Sequence, residues 1–411
     1  MGKPADARLL RIGPSAGSGD SVLFPAWAVV AALVVKSLLA LSATGTNDAL
    51  TWEHDLSTLR TKGPASLYRN GVQYTSPAGK LYQRQLFIHP PAMVSILYGL
   101  GTLQDLSGLS ITFWMRLLCS FADAGAVFMV WLMVRRTATK GLIVLLALSP
   151  ISILVSGFHV NTDPVMIFFV VMTVFLAERR QNSYAAVAFG LAMSIKLVPL
   201  IYLPAMIVSL PRNTVRARCA VIAAATWIAV SMPVLARYPW LILKTILSYG
   251  GATGLWGFYF LCGLLETMGI AGPYNLYAPA AKWSALLGVS LLPFVFRRFA
   301  PRSSLFVQCG SITFLFLFLS PGFGLQYLAW TVPWIVALGI KPAAGYYAIA
   351  GTFMIAVYTE AGGLNVPGYA DLLTVTNWTM LMLMGLVCWA AIGTVVWRYG
   401  QVALGRRKGG E

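Results

Sequence analysis

The sequence predicts an all-α polytopic membrane protein, and three observations carry that prediction. Apolar runs of about 17–25 residues, the length that crosses ~30 Å of hydrocarbon, recur from Leu23 to Arg398. Of 411 residues, 58% are hydrophobic and 10% charged, and the mean hydropathy is +0.73. That balance leaves no stretch for a soluble domain. The net charge of +17 is gathered in short segments between the apolar runs. This is the positive-inside pattern, beside anionic headgroups, and argues against a nucleic-acid partner.

With each basic cluster assigned to the cytoplasm, the elements follow in order. Residues 1–22 form a cytoplasmic tail with Lys3, Arg8 and Arg11, and 23–43 go out as an uncleaved signal-anchor. A long external loop runs from about 44 to 108. Residues 110–134 return to Arg135, Arg136 and Lys140; 140–158 go out, and 162–178 return to Arg179 and Arg180. Residues 183–197 and 198–210 make a short pair out and back to Arg212, Arg216 and Arg218. Lys196 and Pro199 fall at its midpoint, a broken geometry tolerated only where helices line a protein cavity. Residues 217–236 go out and 277–296 return to Arg297, Arg298 and Arg302. Residues 304–320, 325–341, 344–359 and 377–397 then alternate. The membrane domain is therefore 23–398, with about 12 transmembrane helices, and 399–411 is a cytoplasmic tail ending in Arg406, Arg407 and Lys408. Residues 86–104 and 254–268 are apolar, but as crossings they would turn basic clusters outward, so they are expected to be interfacial helices. No internal repeat is evident, and Cys119, Cys219, Cys262, Cys309 and Cys388 read as small core residues.

This topology puts most of the chemistry on one side. Asp48, Glu53, Asp55, Asp163, Glu266, Glu360 and Asp371 lie on or near the outer face, with all three histidines, His54, His89 and His159. Asp48 follows the first span by about one turn and is flanked by Trp52; it reads either as a base at the bilayer edge or as part of a solvated helix start. Glu53 and Asp55 have the spacing of oxygen ligands for a divalent cation, but on a helix they diverge and read as a solvated face. SGFHVNTDP brings His159, Asn161 and Asp163 to a turn between spans, able to orient a sugar or a phosphate, although Asp163 equally suits the N-cap of a helix starting at Pro164. Lys196 has no acid nearby in sequence, so a lipid phosphate or snorkelling is needed to settle its charge. Arg116 and Asp123, seven apart, either pair with each other or leave Arg116 for the same phosphate. In SPGFGLQYLAW, Gln326 and Tyr327 point to a cavity mouth, while Tyr327 and Trp330 also suit an interfacial aromatic belt.

Taken in order, these pieces resemble the GT-C glycosyltransferases, polytopic enzymes that move a sugar from a polyprenyl-phosphate donor on the non-cytoplasmic face. The resemblance spans roughly 23–335 and is closest to bacterial polyprenyl-phosphate mannosyltransferases and to the endoplasmic-reticulum glucosyltransferases of N-glycan precursor synthesis. It rests on Asp48, Trp52, His54, Gly63 to Tyr68, Pro90 and Pro91 in FIHPP, and Arg116 with Asp123. It continues through His159, Asn161 and Asp163, with Phe158 inserted after Gly157, then Lys196, and Trp256 and Gly257 in YGGATGLWGFYFL. The His-Glu-Lys motif of the glucosyltransferases is absent, and QYLAW stands in its place.

The resemblance implies a GT-C fold and an inverting transfer with Asp48 as general base. Lys196, His159 and Arg116 would screen the leaving phosphate, and His54, Asn161, Asp163, Trp256, Gln326 and Tyr327 would contact substrate. It implies no cofactor and no metal, a polyprenyl-phosphate-linked hexose (mannose first) as donor, and a glycolipid or glycan acceptor among membrane lipids. A lipid-linked-sugar transporter or flippase is the competing class. Against it stand the missing repeat, the long first external loop and the presence of one acid, Asp123, well inside a span.

Overall fold

In the computed structural model, the residues described are 23–69, 73–75, 81–83, 87–247, 256–270, 272–361, 364 and 378–403. Both terminal basic clusters, Asp371 and residues 249–255 of the YGGATGLWGFYFL segment lie outside them.

The first helix, α1 (Ala26–Ser42), shows how the sequence sorts lipid from protein. Trp27, Val30, Val34, Leu38 and Leu41, spaced three or four apart, are exposed, while Ala28, Ala32, Lys36 and Ala40 are buried. The buried stripe of small residues lets neighbouring backbones approach closely. Lys36 is the exception, and it is met by Asp123 and Ser152: Nζ donates to Asp123 Oδ2 and, at 2.8 Å, to Ser152 Oγ, which itself donates to Asp123 at 2.6 Å. Asp123 is therefore paired with Lys36, not with Arg116.

A bend of 67° separates α1 from α2 (Asn47–Lys62). The segment after it holds α3 (Pro64–Arg69), an antiparallel two-stranded ribbon, β1 (Gln73–Thr75) with β2 (Leu81–Gln83), and α4 (Ala92–Ser107), which starts directly after Pro90 and Pro91. The ribbon was not anticipated from the sequence. Helix α5 (Ile111–Val134) packs against α1 and α8 (Asp163–Glu178). Between them the chain runs through α6 (Lys140–Ala147), α7 (Pro150–Ile153) and one π-helical segment, Leu154–His159.

The expected short pair at 183–210 is a broken element. Helix α9 (Asn182–Ile195) ends where Lys196 turns extended (φ −149°, ψ 153°), and a 3-10 turn (Val198–Tyr202) leads into α10 (Leu203–Ser209). Next come α11 (Asn213–Leu235), the short α12 (Pro239–Leu247), α13 (Gly257–Thr267), α14 (Pro273–Phe299), α15 (Leu305–Leu319), α16 (Ile340–Ala361) and α17 (Trp378–Ala403). Residues 325–341, expected to cross as a helix, instead form two 3-10 segments, Leu325–Thr331, which is buried from Leu328 onward, and the buried Ile335–Leu338. Tyr347 and Tyr399 donate to the carbonyls of Val332 and Trp334, which makes non-helical backbone tolerable inside protein.

Six described helices are long and apolar enough to cross a membrane, seven if the bent α1/α2 pair counts as one, against about twelve expected. The difference lies in short elements. At 16, 14 and 15 residues, α8, α9 and α15 fall below the ~20 residues needed to cross unaided. The helices make this a multi-pass membrane protein.

Candidate active site

The site forms where α1 gives way to α2 and the π segment gives way to α8. Gly45 makes the first turn (φ +84°); a Cβ there would collide with Arg116 Nη2. Thr46 caps α2: its hydroxyl accepts from Asp48 N at 3.3 Å and donates to the carbonyl of His159 at 3.0 Å. Asp48 thus sits in the first turn of α2, where unpaired N–H groups favour negative charge. Its side chain is 34% exposed.

The second turn is strained. Val160 has φ 66°, ψ 54°, a left-handed conformation that a β-branched residue avoids at a cost of about 1–3 kcal/mol. Four consecutive carbonyls hold it in place, each accepting from a side chain of another element. Arg116 Nη2 bonds Phe158 at 3.1 Å, Thr46 bonds His159, Trp52 Nε1 bonds Val160 at 2.8 Å, and Cys119 Sγ bonds Asn161 at 3.1 Å.

The side chains that emerge form a chain of polar contacts. Asn161 Nδ2 donates to Asp48 Oδ2 at 2.7 Å, and Asn161 Oδ1 accepts from Asp163 N at 3.2 Å and from Lys196 Nζ at 2.9 Å. The amide has one workable orientation, since flipping it would set a carbonyl against the carboxylate and an NH2 against the ammonium. Lys196 Nζ also bonds Asp163 Oδ1 at 2.8 Å. Lys196 therefore has an internal carboxylate partner, where the sequence leaves a lipid phosphate or snorkelling to settle its charge. Asp163 is the first residue of α8 rather than its N-cap. His159 Nε2 stands 3.2 Å from Asp48 Oδ2, off the line of a hydrogen bond. Asp48, His159, Asn161, Asp163 and Lys196, spread over about 150 positions of sequence, are thus one cluster, with Asp48 at its open edge.

Other expected contacts lie elsewhere. Arg116 is buried and ties the end of α1 to the π segment through the carbonyls of Ala40 and Phe158. It acts as a clasp beneath the site. His54 is exposed on α2, as is Glu53, while Asp55 is buried, so the E-x-D pair diverges but does not form the solvated face expected of it. Trp256 is buried, stacked on Phe323 at 3.7 Å, with Nε1 donated to the Leu317 carbonyl. It pins α13 to the end of α15 and presents no open face to a ligand. Gln326 and Tyr327 are half-buried, Tyr327 stacking on Trp330 at 4.4 Å.

Two residues of the site carried no mark in the sequence reading. Val160 gives no signal, because valine argues against a left-handed turn. Tyr358 of α16 places its ring 5.4 Å from that of His159. The run YTEAGG, polar groups closing an apolar stretch, was the one available sign of it.

Residues 157–264, about a quarter of the chain, match the model of the family described as Mannosyltransferase (PIG-M). The matched stretch contains His159, Asn161, Asp163, Lys196 and Trp256. No curated protein is matched by the chain. The family match supports glycosyltransferase activity, in a protein with several helices fit to cross a membrane.

Proposed function

We propose, from that mannosyltransferase match as premise, that the protein transfers a hexose, mannose first, from a polyprenyl-phosphate donor to a glycolipid or cell-envelope glycan. The site would face the non-cytoplasmic side, with both termini in the cytoplasm. The observation that carries the reading is the polar cluster, whose one markedly exposed member is the carboxylate of Asp48.

In this reading Asp48 takes the proton of the acceptor hydroxyl as that oxygen forms its bond to the anomeric carbon. The bond from that carbon to the phosphate oxygen breaks, with inversion, and polyprenyl phosphate leaves with the electron pair. Asn161 fixes the carboxylate rotamer. Lys196 uses two of its three donors on Asn161 and Asp163 and keeps one for a phosphate oxygen. His159 adds a ring nitrogen beside Asp48. Positioning and charge screening are the main tasks left to the protein, because the leaving group departs as a stable phosphate. The reaction so written calls for no metal or other cofactor.

The test is sugar transfer by the purified protein from a radiolabelled polyprenyl-phosphate mannose to a panel of glycolipids, with and without EDTA. Transfer that Asp48→Asn reduces by about 10²-fold or more, with folding intact and no effect of EDTA, is expected. Wild-type protein that transfers nothing, yet moves such lipids across reconstituted bilayers, would make it a carrier.

A further inference from the structure

Tyr358 stands out among the buried tyrosines. Of the described residues, Tyr68, Tyr202, Tyr346, Tyr347 and Tyr399 each place the phenol against a carbonyl or a threonine hydroxyl. Tyr358 is 2% exposed, and its hydroxyl is buried with no hydrogen-bond partner among the described residues. Its ring packs on Phe158 at 5.3 Å and on His159 at 5.4 Å, contacts a phenylalanine would make equally well. A buried hydroxyl left unpaired costs about 1–3 kcal/mol. Among the described residues, stability alone therefore gives no reason for the oxygen, and its place beside His159 points to a partner that arrives with substrate.

The chemistry around it selects the kind of partner. The ring it packs on, that of His159, stands 3.2 Å from the Asp48 carboxylate. A carboxylate so near disfavours an anion such as phosphate and favours a neutral group that donates as well as accepts. We propose that Tyr358 Oη hydrogen-bonds one ring hydroxyl of the transferred hexose and so determines which sugar is accepted. This rests on the glycosyl-transfer reading above. The sugar would enter from the side of Asp48, whose side chain is 34% exposed. A site built to bond a substrate hydroxyl discriminates strongly against an analogue that lacks it, because its own polar group is then stranded.

The experiment measures kcat/KM for wild type and Tyr358→Phe with polyprenyl-phosphate mannose and with its 2-, 3-, 4- and 6-deoxy analogues, alongside thermal unfolding in detergent. Wild type is expected to lose about 10²-fold or more on one deoxy donor. Tyr358→Phe should show a comparable loss on the mannosyl donor and little further loss on that deoxy analogue, at an unfolding temperature equal to or above that of wild type. Losses that add in full for every analogue, an unchanged activity and selectivity, or a lowered unfolding temperature would each overturn the assignment. Wild-type protein inactive with every donor would overturn the underlying reading and the assignment with it, an outcome distinct from the other three.

Discussion

Removing the Lys196 ammonium tests the cluster most directly, because it strands a charge that has little else. Asp163 is fully buried; Lys196 meets its Oδ1 at 2.8 Å, and Oδ2 has no hydrogen-bond partner among the described residues. At that separation and an effective dielectric of about 20, the attraction is about 6 kcal/mol. The desolvation of both groups offsets much of it, so the pair adds little net stability, while breaking it costs about 3–5 kcal/mol. Lys196→Met keeps most of the apolar stem and deletes the charge. Its thermal unfolding in detergent, followed by size-exclusion after heating, should shift down by several degrees. Adding Asp163→Asn should restore most of that loss, since a neutral pair needs no counter-ion. Sugar transfer should stay low in both variants. Single and double variants destabilised alike, or a single variant as stable as wild type, would refute the argument that Asp163 depends on Lys196 as its ion-pair partner.

Two further outcomes follow from packing and from the strained turn. Gly157→Ala would bring a Cβ to 3.0 Å from Lys36 Cα and 3.2 Å from Leu39 Cδ1; backbone cannot swing aside, so a loss of about 1–3 kcal/mol is expected in the same unfolding assay. Trp52→Phe removes the donor to the Val160 carbonyl and should cost about 1–3 kcal/mol. Its kcat should fall further than Tyr68→Phe lowers it, although that variant also strips one buried carbonyl, of His89, away from the turn.

Some of this was legible in the sequence and some was not, for identifiable reasons. The prolines at 90 and 91 set the start of α4, and the break near Lys196 and Pro199 is where the sequence puts it. Both are local features that act on the backbone within a residue or two. The residues His159, Asn161 and Asp163 also stand out locally, as polar groups in an apolar run. Their partners do not: Asn161 meets Asp48 across 113 positions, and Asp163 meets Lys196 across 33. Periodicity says which face of a helix is buried but not which helix it meets, so Lys196 read as a cation in need of a ligand. The stretch 325–341 read as a helix because hydropathy measures apolarity, and a buried 3-10 chain is as apolar as a span. Trp256 was expected at the substrate through the family resemblance, and a resemblance in sequence does not tell whether an indole's face is covered or open.

The strain at Val160 and the position of Asp48 have a common cause. The hydroxyl of Thr46 accepts from the amide of Asp48 and donates to the carbonyl of His159, so one side chain sets the start of α2 against the end of the π segment. Arg116 and Cys119 of α5 and Trp52 of α2 hold the next turn of the same segment. With four carbonyls in a row fixed from outside, the left-handed residue has no freedom to relax, and Asn161 is delivered to Asp48 by the protein's own contacts. In the proposed transfer, a carboxylate and the donor that orients it would thereby be set before the encounter, which would remove their alignment from the work of the transition state. The left-handed valine marks the place where local stability gives way to that geometry.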